Sequence, residues 1–367
     1  MSSRIVVKIG SSSLTSVEGG LNRDAISFFA NEISNLKRDG YEVLLVTSGA
    51  VAAGFRAIGY SFRPKLLHEK QAAAAVGQAL LMQAYQEAFA GHGIINAQIL
   101  LTRTDFISRQ RMNNAVMTIE ELLNQGAVPI FNENDTVSVD ELKFGDNDTL
   151  SAMVANMVKA EHLLILTDMD GLYSGDPRKH PNAVRFDHIE HITEEIYSIA
   201  GGAGSSLGTG GMRSKVDAAK IATRGGVPVF VGKVSEPGDL SHAVNGQGRG
   251  TYFDTHLNSL PVKKQWLGFM STPLGTLQVD DGAEKAMVHN GHSLLPVGVK
   301  NVAGHFHAGD VVEVVNARGV ILGRGIVNYD VEQIQQILGK SSTEVFQILS
   351  SVHRLEVIHR DEWITLL

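Results

Sequence analysis

The sequence contains no cysteine. Disulfide bonds, thiolate catalysis, and zinc or iron–sulfur sites with cysteine ligands are therefore excluded. The chain also lacks a positively charged leader followed by an apolar run, and no apolar stretch reaches the ~18 residues typical of a transmembrane helix. We therefore expect a soluble cytoplasmic protein.

Positive charge is in short supply. Lys and Arg number 32 against 39 Asp and Glu, which gives a formal net charge of −7 with neutral His. A protein that binds nucleic acids or anionic membranes in general normally carries a basic surplus. The charge balance argues against both classes, although it leaves room for a local basic site.

The 367 residues are enough for two domains, and the first 255 share one sequence pattern. Short apolar runs alternate there with longer amphipathic segments, and the runs resemble strands buried on both faces. This alternation is typical of a mainly parallel sheet between two layers of helices, so we predict an α/β fold, a three-layer αβα sandwich, for residues 1–255. The predicted strands lie at 5–7, 43–46, 127–130, 163–166 and 227–231, and the predicted helices at 24–38, 68–90, 112–124, 150–160 and 214–224.

The sequence pattern changes after Asp254. Residues 256–275 read as a linker, and short strand-like pieces separated by turn signals follow from 276 onward. We predict a second, small β-rich domain over 276–367, a partly closed barrel with a helix near 330–349.

The stretch Gly145–Ser151 places two carboxylates and an amide (Asp146, Asn147 and Asp148) directly behind a glycine. Short polar side chains cap helix N-termini, and the first turn of a helix attracts anions. Four consecutive polar residues exceed what one cap requires. A functional site is one explanation, and a capping loop with more polar residues than the cap needs is the other.

Four of the predicted strands are followed by polar residues that suit anionic ligands. In an open α/β sheet, ligands bind beyond the carboxyl ends of the strands, so these segments are expected to form one site. Each segment alone has an ordinary explanation as a turn, a cap or a surface lysine, but their joint placement favours a site. They are Lys8 with Gly10 and Ser11, a possible phosphate cradle; Ser48 with Gly49, suited to a carboxylate; Asn132 to Asp135; and Thr167 with Asp168.

A fifth element is the glycine-rich segment from Gly208 to Lys215, which leads into a helical pattern. A lysine in the first helical turn opposes the helix dipole unless an anion lies there as well. Phosphate is the natural partner for this segment, and a glycine hinge is the alternative explanation.

In these segments the sequence resembles the glutamate-phosphorylating members of the amino-acid kinase family, which carry a C-terminal PUA domain. The matching motifs include Val6–Ser11, Val46–Ala50, Asn132–Asp135, Gly145–Asp148 and Gly208–Met212. Asp281–Ala283 and Ser293–Gly298 are similar to the PUA domain of these kinases. Arg213-Ser214 departs from the family, which more often has a small residue followed by Thr or Ala before the lysine.

The resemblance implies ATP-dependent phosphorylation of the γ-carboxylate of L-glutamate, the first step of proline biosynthesis. It implies ATP and Mg²⁺ as cofactors, homo-oligomers (dimers or tetramers), and proline as a possible feedback inhibitor. Catalysis is assigned to Lys8, Lys215 and Asp148, with Asp148 orienting the two lysines. The substrate-binding residues are Ser48, Gly49, Asn132, Asp135 and Asn147, and the ATP-binding residues are Lys8, Gly10, Ser11, Thr167, Asp168, Thr209, Gly210, Gly211, Met212, Arg213, Ser214 and Lys215.

The proposed chemistry agrees with the residue types. A γ-carboxylate with a pKa near ~4.3 is already ionised at neutral pH, so the reaction needs charge neutralisation and in-line positioning rather than a general base. The carboxylate of Asp135 suits the α-ammonium group of an amino acid, and N–H groups near Ser48 suit a carboxylate.

Three alternatives stay open at this point. The first is another kinase of the same fold, acting on N-acetylglutamate, aspartate, carbamate or a nucleoside monophosphate. The second is an RNA-binding protein that acts through its PUA domain, although residues 275–367 hold seven Lys and Arg against eleven Asp and Glu and an acidic module is poorly suited to phosphates. The third is a catalytically inactive homologue.

Overall fold

The computed structural model describes residues 3–16, 19–138, 147–180, 182–201, 211–255, 264, 267–268, 271, 273–349 and 354–366. The chain divides into two compact units, Met1–Ser259 and Leu260–Leu367. Most of the predicted linker, as well as Thr209, Gly210 and the Gly145-Asp146 pair, lies outside the described residues.

The first unit alternates strands and helices as the sequence predicts. Its sheet has the order β3-β4-β2-β1-β5-β7-β8-β6, and all neighbouring strands are parallel except β7 and β8. The elements are β1 (Arg4–Ile9), α1 (Ser11–Leu14), α2 (Arg23–Arg38), β2 (Glu42–Val46), α3 (Ala50–Gly54), α4 (Leu67–Ala90), β3 (Asn96–Leu101), α5 (Arg103–Ile107), α6 (Arg109–Asn124), β4 (Val128–Glu133), α7 (Asn147–Met157), β5 (His162–Leu166), β6 (His188–Ile189), α8 (Glu194–Ala200), α9 (Met212–Arg224), β7 (Val229–Gly232), α10 (Asp239–Val244) and β8 (Gly250–Phe253).

Helices cover both faces of this sheet. Ile5, Val7 and Ile9 of β1 share a fully buried cluster with apolar residues of α2, α4 and α10. Successive side chains of a strand point to opposite faces, so Val6 and Lys8 face the other layer, where α7 contacts β1 and packs against α9. The predicted three-layer αβα sandwich is thus confirmed, and Lys8 is directed toward α7.

Helices α3 and α4 cross at a pair of glycines. A Cβ added to Gly77 would lie 1.8 Å from the backbone oxygen of Ala50, and one added to Gly54 would lie 2.0 Å from the oxygen of Ala73. Only glycine permits backbones to approach this closely. The crossing fixes α3, and with it the turn at Ser48 and Gly49, against the long helix α4.

The second unit contains a five-stranded sheet of order β10-β9-β11-β12-β13. An isolated antiparallel bridge between Leu294 and Ile358 links the segment ahead of β10 to β13, so the two ends of the sheet order are connected, as partial closure requires. The elements are β9 (Gly275–Val279), α11 (Asp281–Val288), a 3₁₀ turn (Pro296–Gly298), β10 (Val299–Gly304), β11 (Val311–Val315), β12 (Ile321–Val327), α12 (Val331–Ile337), α13 (Ser342–Ile348) and β13 (Ile358–Thr365).

The helix predicted near 330–349 is two helices. Gly339 has a φ of 67°, a left-handed conformation that ends the first helix. Ser341 and Glu344 then form a capping box that begins the second helix. No helix in the described part of the chain is both long and apolar enough to cross a membrane.

Candidate active site

Asp148 lies between two lysines that are far apart in the sequence, Lys8 and Lys215. The ammonium group of Lys8 contacts Oδ1 of Asp148, and Nζ of Lys215 lies 3.1 Å from Oδ2. All three side chains are buried, with 5%, 0% and 7% of Lys8, Asp148 and Lys215 exposed. We call this group the lysine–aspartate cluster; with all three groups ionised it carries one net positive charge.

Local structure explains why a carboxylate is stable at this position. Asp148 lies in the first turn of α7, where the helix dipole favours a negative charge. Ser214 at the start of α9 donates its hydroxyl to Oδ2 of Asp148 over 2.8 Å. Burial alone raises the pKa of Asp148, but the charges of Lys8 and Lys215 and the hydrogen bonds outweigh burial and hold the pKa below its usual range.

The family resemblance predicts that Ser214 binds ATP, and in this structure its hydroxyl contacts two groups of the protein. Its oxygen lies 2.8 Å from both Oδ2 of Asp148 and the carbonyl oxygen of Gly211, two acceptors for its single hydrogen. The carboxylate of Asp148 also supplies the anion that a lysine at the start of α9 requires. Asp148 thus compensates the charge of Lys215.

The predicted ATP-binding residues Thr167, Asp168, Gly211, Met212 and Lys215 line one cleft, at the ends of β5 and α9. Apolar walls of this cleft come from Leu172, Tyr173, Pro177 and Ile199. The structure thus brings together the segments that follow β5 and precede α9, with Lys215 reaching from the cleft to the lysine–aspartate cluster.

Arg213 lies apart from the residues that line this cleft. Its guanidinium carbon lies 4.2 Å from the ring centroid of Tyr197, and Nε lies 3.5 Å from a carboxylate oxygen of Asp217. Gly10 and Ser11 follow β1, and an added Cβ at Gly10 would lie 3.7 Å from Nζ of Lys8 and 3.9 Å from the carbonyl oxygen of Leu166. The contacts of Arg213 indicate that it anchors α9 to α8.

The predicted substrate-binding residues meet at Asn147. Its amide nitrogen lies 2.6 Å from the carbonyl oxygen of Thr47, 3.0 Å from Oγ of Ser48 and 2.8 Å from Oδ1 of Asn132. Gly49 follows with a φ of 103°, and an added Cβ would lie 3.0 Å from a methyl group of Thr15. Asn147 therefore ties the turn after β2 to the end of β4, one residue before Asp148.

Asp135 lines a second cavity, of about 390 Å³, beside this amide centre. The cavity also contains six residues of α4 and β3 that the sequence-based prediction missed, because isolated glutamine, alanine and leucine residues on a helix or an edge strand form no motif. The lining residues are Ala50, Ala74, Ala75, Gln78, Ala79, Gln98, Leu100, Glu133, Asn134, Asp135 and Thr136. The cluster and Asn147 thus lie between the residues of the cleft and the residues of this second cavity.

Comparison with known proteins gives a consistent picture. The sequence pattern of the amino acid kinase family matches residues 3–233, and that of the PUA domain matches residues 275–349. A Bacillus cereus protein named glutamate 5-kinase is 49% identical over 364 residues, covering 99% of this chain and 99% of its own. A Geobacillus kaustophilus protein of the same name is 50% identical over 364 residues, covering 99% and 97%.

Among solved structures, UMP kinase from Ureaplasma parvum overlaps with 70% of this chain and 100% of its own, at a TM-score of 0.49 and 16% identity.

Proposed function

We propose a reaction for this chain from one premise: the chain belongs to the amino acid kinase family. The proposed reaction transfers the γ-phosphoryl group of ATP to the γ-carboxylate of L-glutamate and gives L-glutamyl 5-phosphate, the first step of proline biosynthesis. The buried lysine–aspartate cluster between the two cavities carries this proposal.

The cluster meets the electrostatic demand of such a transfer. Two anions, a carboxylate and a triphosphate, must approach each other in line, and charge spreads over the oxygens of the transferring group. Lys8 and Lys215 supply two positive charges that are already desolvated and held in place by Asp148. Such fixed charges act strongly in a water-excluded site because they need no reorganisation during the reaction.

Proton transfer is not required of Asp148. The γ-carboxylate is ionised at neutral pH, since its pKa is about 4.3. The lowered pKa of Asp148 keeps its own carboxylate charged and therefore able to orient both lysines. We assign Asp148 the role of organiser and not of general base.

Mg²⁺ belongs to the proposal through ATP. The described residues contain no group of three or more His, Asp or Glu side chains that could hold a metal ion by themselves. This fits Mg²⁺, which keeps waters and commonly binds through substrate phosphates and one or two carboxylates. Asp168, exposed at the rim of the nucleotide cleft, is the candidate carboxylate. The ion would neutralise charge on the phosphate oxygens.

Free glutamate suits the cavity better than N-acetylglutamate does. Asp135 offers a carboxylate for an α-ammonium group. N-acetylglutamate has no such group, because its α-nitrogen is a neutral amide. The curated relatives that match over nearly the whole chain are named glutamate 5-kinase, which also favours glutamate over aspartate.

The deciding experiment is ATP-dependent formation of γ-glutamyl hydroxamate with purified protein, Mg²⁺ and hydroxylamine. L-glutamate, L-aspartate and N-acetylglutamate are compared at equal concentration. We expect product with glutamate alone. Product only with another acid would retain the acyl-phosphate mechanism and reject the substrate, and no product with any acid would reject the reaction.

The same assay tests the remaining expectations. We expect proline to inhibit the reaction, and a proline titration in the assay measures this directly. Sedimentation analysis should show a homo-oligomer, a dimer or tetramer, and fractionation should place the protein in the cytoplasm. We expect the acidic C-terminal unit to be regulatory or architectural, so tight, salt-sensitive RNA binding by the full chain would contradict that assignment.

A further inference from the structure

Four carboxamide side chains form a continuous chain of hydrogen bonds from the active site to the cavity. Nδ2 of Asn147 donates to Oδ1 of Asn132 over 2.8 Å, and Nδ2 of Asn132 donates to Oε1 of Gln78 over 2.8 Å. Nε2 of Gln78 then donates to Oε1 of Gln98 over 2.9 Å. The chain therefore runs from α7 through β4 and α4 to the edge strand β3.

Backbone groups fix the direction of this chain. An isolated carboxamide can turn over and exchange its oxygen and nitrogen. Here the N–H of Glu133 donates to Oδ1 of Asn132 over 2.9 Å, and an N–H can only donate, so the facing atom must be oxygen. The carbonyl oxygen of Thr47 can only accept, so the atom of Asn147 that faces it must be nitrogen.

This direction determines what the last two members present to the cavity. Because Gln98 uses its oxygen to accept from Gln78, it retains both hydrogens of its Nε2, and Gln78 retains one. Both residues line the 390 Å³ cavity that also contains Asp135. The cavity lining thus includes amide donors for an anion and the carboxylate of Asp135 for a cation.

We propose that the Nε2 groups of Gln78 and Gln98 bind the α-carboxylate of the amino-acid substrate. This inference rests on the proposed function, since it assumes that an α-amino acid occupies the cavity. The two donors and Asp135 then recognise the two charged groups on the α-carbon. The N–H groups near Ser48 and Gly49 are left for the γ-carboxylate, which must lie beside the lysine–aspartate cluster to be phosphorylated.

The test is the Gln98→Glu variant in the hydroxamate assay. Glutamate at this position still accepts from Gln78 but replaces the outward amide donor with a charged acceptor. Loss of a hydrogen bond to a charged group, with added repulsion, should raise KM for L-glutamate ~10- to 100-fold. KM for ATP and kcat should stay within about twofold of wild type. Gln98→Ala should raise KM for L-glutamate by a smaller factor.

Gln86→Glu provides the matched control. It makes the same charge change as Gln98→Glu, but at an exposed residue of α4 that does not line the cavity. Its KM for L-glutamate should equal that of wild type. As a second readout, 4-aminobutyrate, which lacks the α-carboxylate, is measured as a competitor of L-glutamate. Its inhibition constant should change little in Gln98→Glu.

The outcomes separate the two proposals. An unchanged KM for L-glutamate in Gln98→Glu, or an equal loss of affinity for 4-aminobutyrate, would overturn the role of the glutamines while wild-type activity upholds the reaction. A wild-type protein that makes no γ-glutamyl hydroxamate would overturn the proposed function itself, and this inference with it.

Discussion

Replacing Asp148 with asparagine should expose how strongly the cluster depends on its carboxylate. Asparagine has nearly the same shape but no charge, so the variant leaves Lys8 and Lys215 buried beside each other without an anion. Two unit charges at the 3.1 Å that separates Nζ of Lys215 from Asp148 attract by about 5 kcal/mol at an effective dielectric constant of about 20. Loss of one partner from a buried ion pair typically costs ~3–5 kcal/mol.

We therefore expect Asp148→Asn to lower the free energy of unfolding by ~3–5 kcal/mol, as measured by urea denaturation without ligand. The lysines also lose their fixed geometry, and kcat in the hydroxamate assay should fall by at least ~10²-fold. Adding ATP with Mg²⁺ should restore part of the lost stability, because phosphates supply the missing negative charge. The nucleotide-induced rise in Tm should accordingly exceed that of wild type.

The pH dependence has a definite sign. The pKa of Asp148 is lowered in the folded protein, so its carboxylate contributes stability that is fully present above the unfolded-state pKa of about 3.9. That contribution is lost as pH falls toward the folded-state pKa. Asp148→Asn should therefore lose less stability than wild type on acidification below about pH 4. A variant with wild-type stability, activity and acid sensitivity would refute the reasoning.

Three further predictions concern the lysines of the cluster, the helix crossing and a buried tyrosine. Alanine in place of either lysine of the cluster should lower kcat by ~10²- to 10³-fold, because a charge that faces the phosphoryl group is lost. As a control, Lys233→Ala replaces an exposed lysine and should leave the hydroxamate rate unchanged. Wild-type rates in the cluster variants would refute the roles of the two lysines. Gly77→Ala should lower the free energy of unfolding by ~1–3 kcal/mol or more, since its Cβ would lie 1.8 Å from a backbone oxygen of α3. As a control, Gly91→Ala should change the free energy of unfolding by under ~0.5 kcal/mol, because its Cβ would lie 3.9 Å from the nearest carbonyl oxygen. Equal denaturation midpoints for the two variants would contradict the close crossing. Tyr85→Phe should lower the free energy of unfolding by ~1 kcal/mol and raise KM for glutamate. The buried hydroxyl of Tyr85 lies 3.0 Å from the hydroxyl of Thr47, whose carbonyl oxygen accepts a hydrogen bond from Asn147. An unchanged KM would show that the tyrosine is structural only.

The strands that the sequence predicts best are those buried on both faces. Arg4–Ile9 and His162–Leu166 consist mostly of buried apolar residues, and their boundaries differ from prediction by one or two residues. Asn96–Leu101 was missed, because it is an edge strand whose residues are mostly half-exposed and begin with polar side chains. Periodicity detects burial, and this strand has little.

The candidate site follows the same division. Lys8, Asp148 and Lys215 belong to glycine-rich or acidic motifs, which a sequence reveals without knowledge of the fold. Gln78 and Gln98 are ordinary polar residues on a helix and an edge strand. Their significance arises only from hydrogen bonds between segments 20 and 54 residues apart, and such pairings cannot be read from spacing.

The crossing of α3 and α4 has a mechanical consequence. Backbone-to-backbone contact at Gly54 and Gly77 leaves no side chain between the helices that could change rotamer and let them slide. The turn at Ser48 and Gly49, the helix that carries Gln78, and the amide chain anchored on it then behave as one rigid body. Any closure that excludes water from the transferring phosphoryl group would have to be carried by other segments, so the amino-acid side of the site acts as a stationary wall.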